Sequence, residues 1–467
     1  MQLLHNPTAM SASFDDPNLI SLAGLVPTMH LADAASLSTL AQDRLSITGD
    51  KGANAGAKIA SLVAGMVAGA DSIDDMDVLR HGGMRRLFDR IYAPSTLGSF
   101  LRAFTFGHVR QLDAVASRFL VNLARQAPHL VPPPPAGSGG NGYVFVDVDD
   151  TIIEVHGHTK QGAGFGYSGI RGLNALLATV TTAQSAPIIV GQRLRKGSCG
   201  SPRGAHRLIA DAMTTTRRLP GMEDKKILVR ADSAYYGHPS VSAALRSGAD
   251  VSVTVRMTPN VKKAIVAIPE DAWQTIQYTD AIFDEASQSW ISLAQVAEVP
   301  FTAFTSRKKA DHVPGRLVVR RIPELNKKDV YQPGLFDLHR FHAVFTTADP
   351  GVLDTVAADK THRQHAIIEQ VNADLKASAL AHLPSGTFTA NSAWLVCAVM
   401  AFNLTRATGV IAAGGMAKAT TATIRRTLMA VPARVARRSR RLVLHLPEGW
   451  TWQPQWQKLF DHGHSPP

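Results

Sequence analysis

Cysteine is almost absent from this chain, in which only Cys199 and Cys397 occur. Two cysteines cannot form a disulfide framework or a cysteine-rich zinc site, so a reducing, cytoplasmic compartment is expected. Long apolar runs are missing as well: the longest, around residues 59–67 and 394–402, are far shorter than the roughly 20 residues of a membrane span. The first residues show no basic segment followed by an apolar run, so no signal peptide is expected. These absences exclude a secreted disulfide-rich protein and predict no membrane association.

Acidic residues are outnumbered by basic ones. The 467 residues contain 37 Asp and Glu against 49 Lys and Arg, a formal net charge of +12. An excess of Lys and Arg attracts phosphate-bearing ligands, so the composition predicts a polyanionic partner. Hydrophobic residues make up 45% of the chain, which is enough to bury a sizeable core and excludes global disorder.

The N-terminal region, residues 1–131, has the pattern of a helical domain. Apolar residues recur at spacings of three and four, for example over 55–68 and 97–123, as expected for helices buried on one face. Arginines lie between these apolar positions, so we expect this region to bind DNA or to mediate dimerisation. The Pro- and Gly-rich stretch at 132–142 predicts a linker, because neither residue supports a helix or a central strand.

Beyond the linker, strand and helix patterns alternate over 143–258 and return over 340–410, which predicts one mixed α/β domain in two parts. Residues 259–339 are mainly strand-like and predict a β-rich insertion in that domain. The remaining residues, 411–467, form a basic C-terminal region: between 411 and 447 the sequence has eight Lys and Arg and no Asp or Glu. The residues of this region that we expect to contact DNA are Arg425, Arg426, Arg437 and Arg438.

Two acidic residues stand out because they follow apolar strand patterns. Asp149 lies in the run DVDDT at 147–151, and Asp232 lies in RADSAYYG at 230–237. Carboxylates at strand ends lie at the sheet edge where α/β folds keep their sites. Within the first run, Asp147 and Asp149 share one face of the strand and Asp150 points to the other.

A third acidic residue, Glu369, lies on a helix predicted from about residue 361 to residue 380. At about 100° per residue, with His362 taken as zero, His365, Glu369 and Lys376 fall at about 300°, 340° and 320°. Apolar residues occupy the other face, which must pack on the sheet. The pattern therefore predicts that Glu369 faces the strand-end aspartates.

Three converging carboxylates require a counter-charge, and two divalent cations about 4 Å apart supply it. Carboxylate oxygens favour Mg²⁺, for which Mn²⁺ can substitute. Two such ions support in-line phosphoryl transfer, in which one activates water or a 3′-hydroxyl and the other stabilises the leaving oxygen. The basic regions provide the phosphate contacts that such a substrate needs.

The order DVDDT, RADSAYYG and HRQHAIIEQVNADLK (362–376) resembles that of the DDE transposases of bacterial insertion sequences, in particular the family numbered thirteen-eighty. The resemblance extends from about residue 83 to about residue 408. It implies a ribonuclease-H-like α/β core, with a β-strand insertion between the second Asp and the Glu. It also implies double-stranded DNA as the partner, both the inverted-repeat ends of the element and its target, and a homodimer on DNA in the bacterial cytoplasm, associated with the nucleoid.

The resemblance assigns Asp149, Asp232 and Glu369 as the catalytic and metal-binding residues, with Asp147 as the rival for the first position. The motif implies cleavage at the element ends followed by joining of the freed 3′-hydroxyl to target DNA, which is cut-and-paste transposition.

Related transposases carry a Tyr-x2-Arg-x3-Glu-x6-Lys signature on the late helix. Glu369 and Lys376 match this signature, whereas His362 and His365 stand at the Tyr and Arg positions. A histidine contacts a phosphate more weakly near neutral pH, because it is only partly protonated. The residues expected to contact DNA beside the scissile phosphate are His362, Arg363, His365 and Lys376.

Two other functions stay open. The run at 145–152 also resembles the Asp-x-Asp-x-Thr loop of haloacid-dehalogenase-like phosphatases, with Asp147 as the nucleophile and Asp149 as the general acid. Such enzymes need a paired acidic motif later in the chain, and Asp232 has no acidic neighbour in the residues that follow it. A catalytically inactive DNA-binding regulator is the third interpretation.

Overall fold

The computed structural model describes residues 1, 3–134, 142–284, 289–323 and 339–463, so most of the predicted linker lies outside the described residues. The N-terminal region is helical, as the sequence predicts. Its elements are the short strand β1 (Leu19–Ile20) and the helices α1 (Leu25–Ala34), α2 (Leu37–Arg44), α3 (Gly49–Gly52), α4 (Ala55–Ala68), α5 (Met84–Leu87), α6 (Pro94–Arg102) and α7 (Phe106–Gln126).

The helix predicted over 97–123 is divided into α6 and α7. Thr105 caps α7, because its side-chain oxygen accepts a hydrogen bond from the His108 backbone N–H while the His108 ring accepts one from the Thr105 N–H. This reciprocal capping box starts a new helix and turns the chain between the two. α4, in contrast, covers the whole predicted stretch at 55–68.

A large mixed sheet forms the centre of the protein. Its strands are β2 (Val144–Glu154), β3 (Gly164–Phe165), β4 (Arg171–Thr181), β5 (Ile188–Lys196), β6 (Ile227–Ala231), β7 (Asp250–Val255), β8 (Gln274–Asp284), β9 (Ser289–Ala303), β10 (Val313–Pro323) and β11 (His339–Thr346). β5, β4, β2, β6 and β7 lie side by side; β4 is antiparallel to both of its neighbours, and β2, β6 and β7 are parallel. This strand order is that of a ribonuclease-H-like core and confirms the predicted fold class.

The region predicted as a β-rich insertion differs from the prediction in two ways. It begins with a helix, α10 (Pro259–Val266), which follows α8 (Ala205–Arg217) and α9 (His238–Arg246) in the chain. Its strands do not form a separate sheet, because residues 316–323 of β10 pair with β11 and β9 and β8 continue the central sheet outward. The insertion is thus an extension of the core sheet.

The C-terminal third returns to helices and ends in a hairpin. Its elements are α11 (Thr355–Arg363), α12 (Ile367–Lys376), α13 (Phe388–Ala412), α14 (Thr421–Ile424), the hairpin strands β12 (Ala433–Arg438) and β13 (Arg441–His445), and α15 (Gln453–His462). The single helix predicted from residue 361 to residue 380 is wrong, because a 3-10 turn at Gln364–Ala366 separates α11 from α12. A 3-10 helix rotates by about 120° per residue and an α-helix by about 100°, so these three residues turn the side chains of α12 by about 60° relative to a continuous α-helix.

Helix α13 is the core helix of the protein. It is long and apolar enough to cross a membrane, which the sequence estimate of its apolar run missed, yet 94% of its most apolar window is buried inside the protein. Asn403 of α13 donates to the Ile189 carbonyl at 2.8 Å and accepts from the Ile189 N–H at 2.9 Å. These two bonds satisfy backbone groups of β5 and join the helical layer to the sheet.

Candidate active site

The aspartates of strand β2 lie on two faces of the central sheet. Asp147 and Asp149 face the α11–α12 segment, because His365 and Asn372 of that segment hydrogen-bond to them. Asp150 faces the opposite side, as the alternation of a strand requires. β2 is paired with β4 on one side and β6 on the other, so the site stands on a strand held from both sides.

Asp147 is fully buried and bound to Arg230 of β6. Nε and Nη2 of Arg230 donate to its two carboxylate oxygens at 2.7 and 2.8 Å, and Nδ1 of His365 lies 2.9 Å from one of them. Burial raises the pKa of Asp147, but Arg230 and His365 outweigh it and the pKa is lowered. Nη1 of Arg230 also donates to the Thr361 carbonyl at 2.6 Å. Asp147 is therefore an ionised anchor between two strands and the α11–α12 junction.

Asp150 is satisfied by donors on the other face of the sheet. The Tyr235 hydroxyl donates to it at 2.6 Å, Nη2 of Arg195 donates at 2.9 Å, and the Asn174 amide donates as well. Burial and the Asp150 charge raise the pKa of the Tyr235 hydroxyl, which stays protonated. Because Tyr235 lies three residues after Asp232, this bond ties the Asp232 segment to β2. Sequence reasoning missed these partners, although Tyr235 lies within the RADSAYYG motif.

Asp149 and Asp232 lie side by side at the point where the parallel pairing of β2 with β6 ends; β2 itself continues to Glu154, so the prediction that Asp149 stands at a strand end is wrong. β2 and β6 pair in register up to Val148 and Ala231, and the next residue of each strand is an aspartate. Adjacent strands are about 4.8 Å apart, so the two carboxylates are neighbours on the face that meets α12. Asp232 is exposed, and its carboxylate accepts the Ala234 N–H at 3.0 Å.

The environment of Asp149 opposes its ionisation. Burial, together with the charges of Asp150 and Asp232, raises the pKa of Asp149 to about 6. Asp147 and Asp150 are each paired with a buried arginine, whereas Asp149 has no ion pair within the described residues. The side chain that hydrogen-bonds to its carboxylate is Asn372, whose Nδ2 donates to Asp149 at 3.0 Å. Asp149 is thus the aspartate of this strand that makes no ion pair within the described residues.

Helix α12 carries the third predicted carboxylate above this pair. Glu369 lies in the first turn of α12 and is exposed. Burial lowers the pKa of Lys376 below its usual value, and the negative charge of the nearby Asp149 offsets only part of this effect. Glu369 lies about 20° from Lys376 and about 60° from Asn372 around the helix, so it is on the side that meets Asp149. Among the described residues, no hydrogen bond joins Glu369 to Asp149 or Asp232.

The structure places the two predicted histidines in protein contacts. His362 is buried, with its ring nitrogens 3.0 Å from the Ser252 hydroxyl and 2.9 Å from the Thr254 hydroxyl. Burial lowers the pKa of His362 to about 3, so its ring is neutral. The placement of His362 on one exposed polar face with Glu369 and Lys376 is wrong, because His362 lies on α11 and is buried, whereas Glu369 and Lys376 are exposed on α12. His365 stacks on His362, with ring centroids 6.3 Å apart, and contacts Asp147.

The predicted DNA-contacting arginines differ in exposure. Arg363 is partly exposed, and its Nε donates to Asp359 at 2.8 Å. Arg425 is partly buried, and its Nε donates to the Val67 carbonyl at 3.3 Å. Arg426, Arg437 and Arg438 are exposed. The last two lie at the end of β12, in a part of the fold distinct from the sheet edge described above.

The residues at this sheet edge suit a hard divalent cation. Within the described residues, no group of three or more His, Cys, Asp or Glu side chains is arranged to bind a metal ion. Asp149 and Asp232 nonetheless offer carboxylate oxygens, which Mg²⁺ and Mn²⁺ prefer, and a cation there would relieve their mutual repulsion. Oδ1 of Asn372 is buried without a hydrogen-bond partner and is a further oxygen donor at the same place. By donor chemistry the site fits Mg²⁺, with Glu369 as the carboxylate from α12.

Tyr235→Phe tests the bond between the Asp232 segment and β2. Because the change removes a hydrogen bond to an ionised acceptor, we expect the free energy of unfolding in urea to fall by about 1.5–3 kcal/mol. Tyr236→Phe is the matched control, since the adjacent Tyr236 hydroxyl makes no hydrogen bond within the described residues, and its cost should stay under about 0.5 kcal/mol. Equal losses in both variants would contradict a special role for the Tyr235–Asp150 bond.

Comparison with known proteins covers nearly the entire chain. The sequence model of the family described as "Transposase DDE domain group 1" matches residues 4–462, which include all the site residues described above. A search of curated proteins finds no match.

Proposed function

This chain belongs to the DDE transposase family, and we propose that it is a cut-and-paste transposase that binds the inverted-repeat ends of its element, cleaves there and joins the 3′-hydroxyl to target DNA. The proposed phosphodiester chemistry rests on one observation. Asp149 and Asp232 lie side by side at the sheet edge, beneath a helix that presents Glu369, and Asp149 has no ion pair within the described residues. Such a site suits metal-dependent phosphodiester chemistry.

We assign Asp149, and not Asp147, as the first catalytic aspartate. Asp147 has no exposed surface and both of its oxygens are bound by Arg230, so neither metal nor substrate can reach it without breaking a buried ion pair. Asp149 is partly exposed and lies next to Asp232. The same burial argues against Asp147 as the nucleophile of a phosphatase, and no feature of the site favours that alternative.

Asp149, Asp232 and Glu369 are the residues that we propose to hold two Mg²⁺ ions. When bound, the ions supply activation of a water or 3′-hydroxyl nucleophile and charge stabilisation at the leaving oxygen. Asn372 orients the Asp149 carboxylate through its 3.0 Å hydrogen bond. Lys376 is exposed next to Asp149, where its ammonium can donate to a phosphate oxygen of the DNA beside the scissile bond.

The remaining proposed DNA contacts come from exposed or partly exposed basic side chains. Arg363, Arg426, Arg437 and Arg438 would bind backbone phosphates, whereas the neutral, buried His362 and the Asp147-bound His365 would position the α11–α12 segment. The helical N-terminal region would contribute to recognition of the element ends. Because transposition pairs two ends, we also propose a homodimer on DNA.

The proposed function is tested with the purified protein and a labelled duplex that ends in the terminal inverted repeat of the element. In Mg²⁺ we expect cleavage at the element end with a free 3′-hydroxyl, followed by joining to a target duplex, and neither in the presence of a chelator. A protein that shifts the duplex but never cuts it would be a regulator. Hydrolysis of a small phosphoester that Asp147→Asn abolishes would indicate a phosphatase.

Asp149→Asn is expected to stabilise the protein in the absence of divalent metal. Because the pKa of Asp149 rises from 3.8 to about 6 on folding, the wild-type protein loses stability as the pH rises from about 4 to about 6. Above that range the amide variant should be more stable by on the order of 2 kcal/mol, and near pH 4 the two should be equal. Urea unfolding at both pH values, with a chelator present, measures the difference. Parallel stability–pH curves would contradict the prediction.

A further inference from the structure

The basic C-terminal region contains a two-stranded ribbon with an arginine-rich tip. β12 and β13 are joined by the two residues Ser439 and Arg440, and Ser439 has a φ of 57°, as a tight hairpin turn requires. The base of the ribbon is anchored: Ala433 and Val435 are buried, and β12 pairs with β1. From Arg437 onward the side chains of β12 are exposed, so the tip extends beyond the anchored base.

The charges of this tip are not balanced by the protein. The exposed tip arginines are Arg437, Arg438, Arg440 and Arg441. None of the four makes an ion pair within the described residues, in contrast to Arg434 at the base, which lies 3.4 Å from Asp16. Arg438 and Arg441 are direct cross-strand partners. Like charges placed opposite each other destabilise a hairpin, so this arrangement favours an external polyanion.

The dimensions of the ribbon indicate which groove of duplex DNA it can enter. Three residue steps separate the buried Val435 from Arg438, a reach of about 10 Å at about 3.3 Å per residue. The major groove of B-DNA is about 8.5 Å deep and about 12 Å wide and admits a two-stranded ribbon, whereas the minor groove is only about 6 Å wide. One face of the tip presents Arg438 and Arg441, and the other presents Arg437 beside Leu442, which is 52% exposed.

We propose that the β12–β13 hairpin inserts into the major groove of duplex DNA, with Arg438 and Arg441 reaching guanine edges and flanking phosphates. The inference rests on the proposed function, since it takes duplex DNA as the partner. It assigns recognition of the DNA bases to the β12–β13 hairpin, which is distant in sequence from the proposed catalytic residues.

The test compares two double variants that remove the same charge. Arg438→Gln/Arg441→Gln removes the cross-strand pair, and Lys418→Gln/Lys458→Gln removes two exposed lysines of the same region outside the hairpin. For a mixed-sequence duplex, the arginine variant should bind at least about tenfold more weakly, and its slope of log affinity against log salt should fall by about 2. The lysine variant should bind within about twofold of wild type. The melting temperature of the arginine variant should not fall, because a repulsion is removed.

Groove insertion is tested with the same duplex containing 7-deazaguanine, which lacks the major-groove N7 acceptor. Wild-type affinity should fall several-fold on this duplex, and the affinity of Arg438→Gln/Arg441→Gln should not change. Arg438→Lys/Arg441→Lys keeps the charge but loses the bidentate fork, so it should keep the salt slope and bind the unmodified duplex more weakly than wild type.

The outcomes separate the two levels of the proposal. If wild type binds and the arginine variant binds equally well, or if 7-deazaguanine has no effect on wild type, the hairpin inference is overturned while the transposase assignment stands. If wild type binds no duplex at all, both fail.

Discussion

Asp232→Asn is expected to lower the rate of DNA strand cleavage in Mg²⁺ by at least about a thousandfold. The change keeps the side-chain volume and an acceptor for the Ala234 N–H, but it removes one of the two adjacent carboxylates at the sheet edge. Loss of a metal ligand forfeits several kcal/mol of transition-state stabilisation, and each 1.4 kcal/mol is about tenfold in rate. Single-turnover cleavage of a labelled element-end duplex measures the effect.

Asp149→Asn and Glu369→Gln extend this test to the other two carboxylates. Both should lower cleavage by at least about a hundredfold while leaving duplex affinity within a few-fold of wild type. The result for Glu369 is the most informative, because in the structure this residue lies on the correct side of α12 without a contact to either aspartate. Its activity loss would show that α12 supplies the third ligand when metal binds.

Glu154→Gln is the matched control for this series. Glu154 is the exposed last residue of β2, five residues beyond Asp149, so the substitution removes one negative charge from the same strand away from the site. It should cleave at the wild-type rate. Cleavage that survives the change at Asp232 or at Asp149 would overturn the assignment of these residues as metal ligands.

Arg230→Met should cost about 3–5 kcal/mol of unfolding free energy. The substitution leaves the Asp147 carboxylate buried with His365 as its remaining recorded partner, and an uncompensated buried charge is strongly destabilising. It also removes the bond to the Thr361 carbonyl and the packing of the guanidinium over the Phe145 ring, 4.4 Å from its centroid. Urea denaturation, compared through the midpoint at constant slope, measures the loss.

Two further variants distinguish a buried charge from a lost contact. Asp147→Leu/Arg230→Met replaces the pair by apolar side chains and should recover much of the stability, since a buried ion pair often exchanges for apolar packing at little cost. Arg307→Met breaks an exposed ion pair, 3.0 Å from Asp311, and should cost at most about 1 kcal/mol. If Arg230→Met lowers the free energy of unfolding no more than Arg307→Met does, the Asp147–Arg230 pair does not anchor β2 to β6 and to the α11–α12 junction.

Much of the fold could be predicted from local patterns. α4 and β6 lie where the helical spacing and the apolar run predict them, and β2 contains the apolar run before Asp149 but continues beyond it to Glu154. The break between α11 and α12 could not be read in the same way, since one 3-10 turn leaves the spacing of apolar residues almost unchanged. The continuation of the core sheet by β8–β10 likewise depends on pairing with β11, which is a long-range contact.

The sequence by itself determined the chemistry available at the site. It places aspartates at the ends of apolar strands, Glu369 on a late helix and an arginine excess near the C-terminus, and local composition is enough to establish each of these. Only the tertiary structure decided which aspartate of β2 lacks an ion pair within the described residues. Asp147 is neutralised by Arg230 and Asp150 by Arg195. Both arginines are distant in sequence: β6 brings Arg230 to β2 by direct pairing, and β5 brings Arg195 near β2 through the intervening β4. The same holds for the basic C-terminal region, where pairing of β12 with β13 sets Arg438 opposite Arg441. Electrostatic energy depends on distance in space, and the fold alone sets that distance.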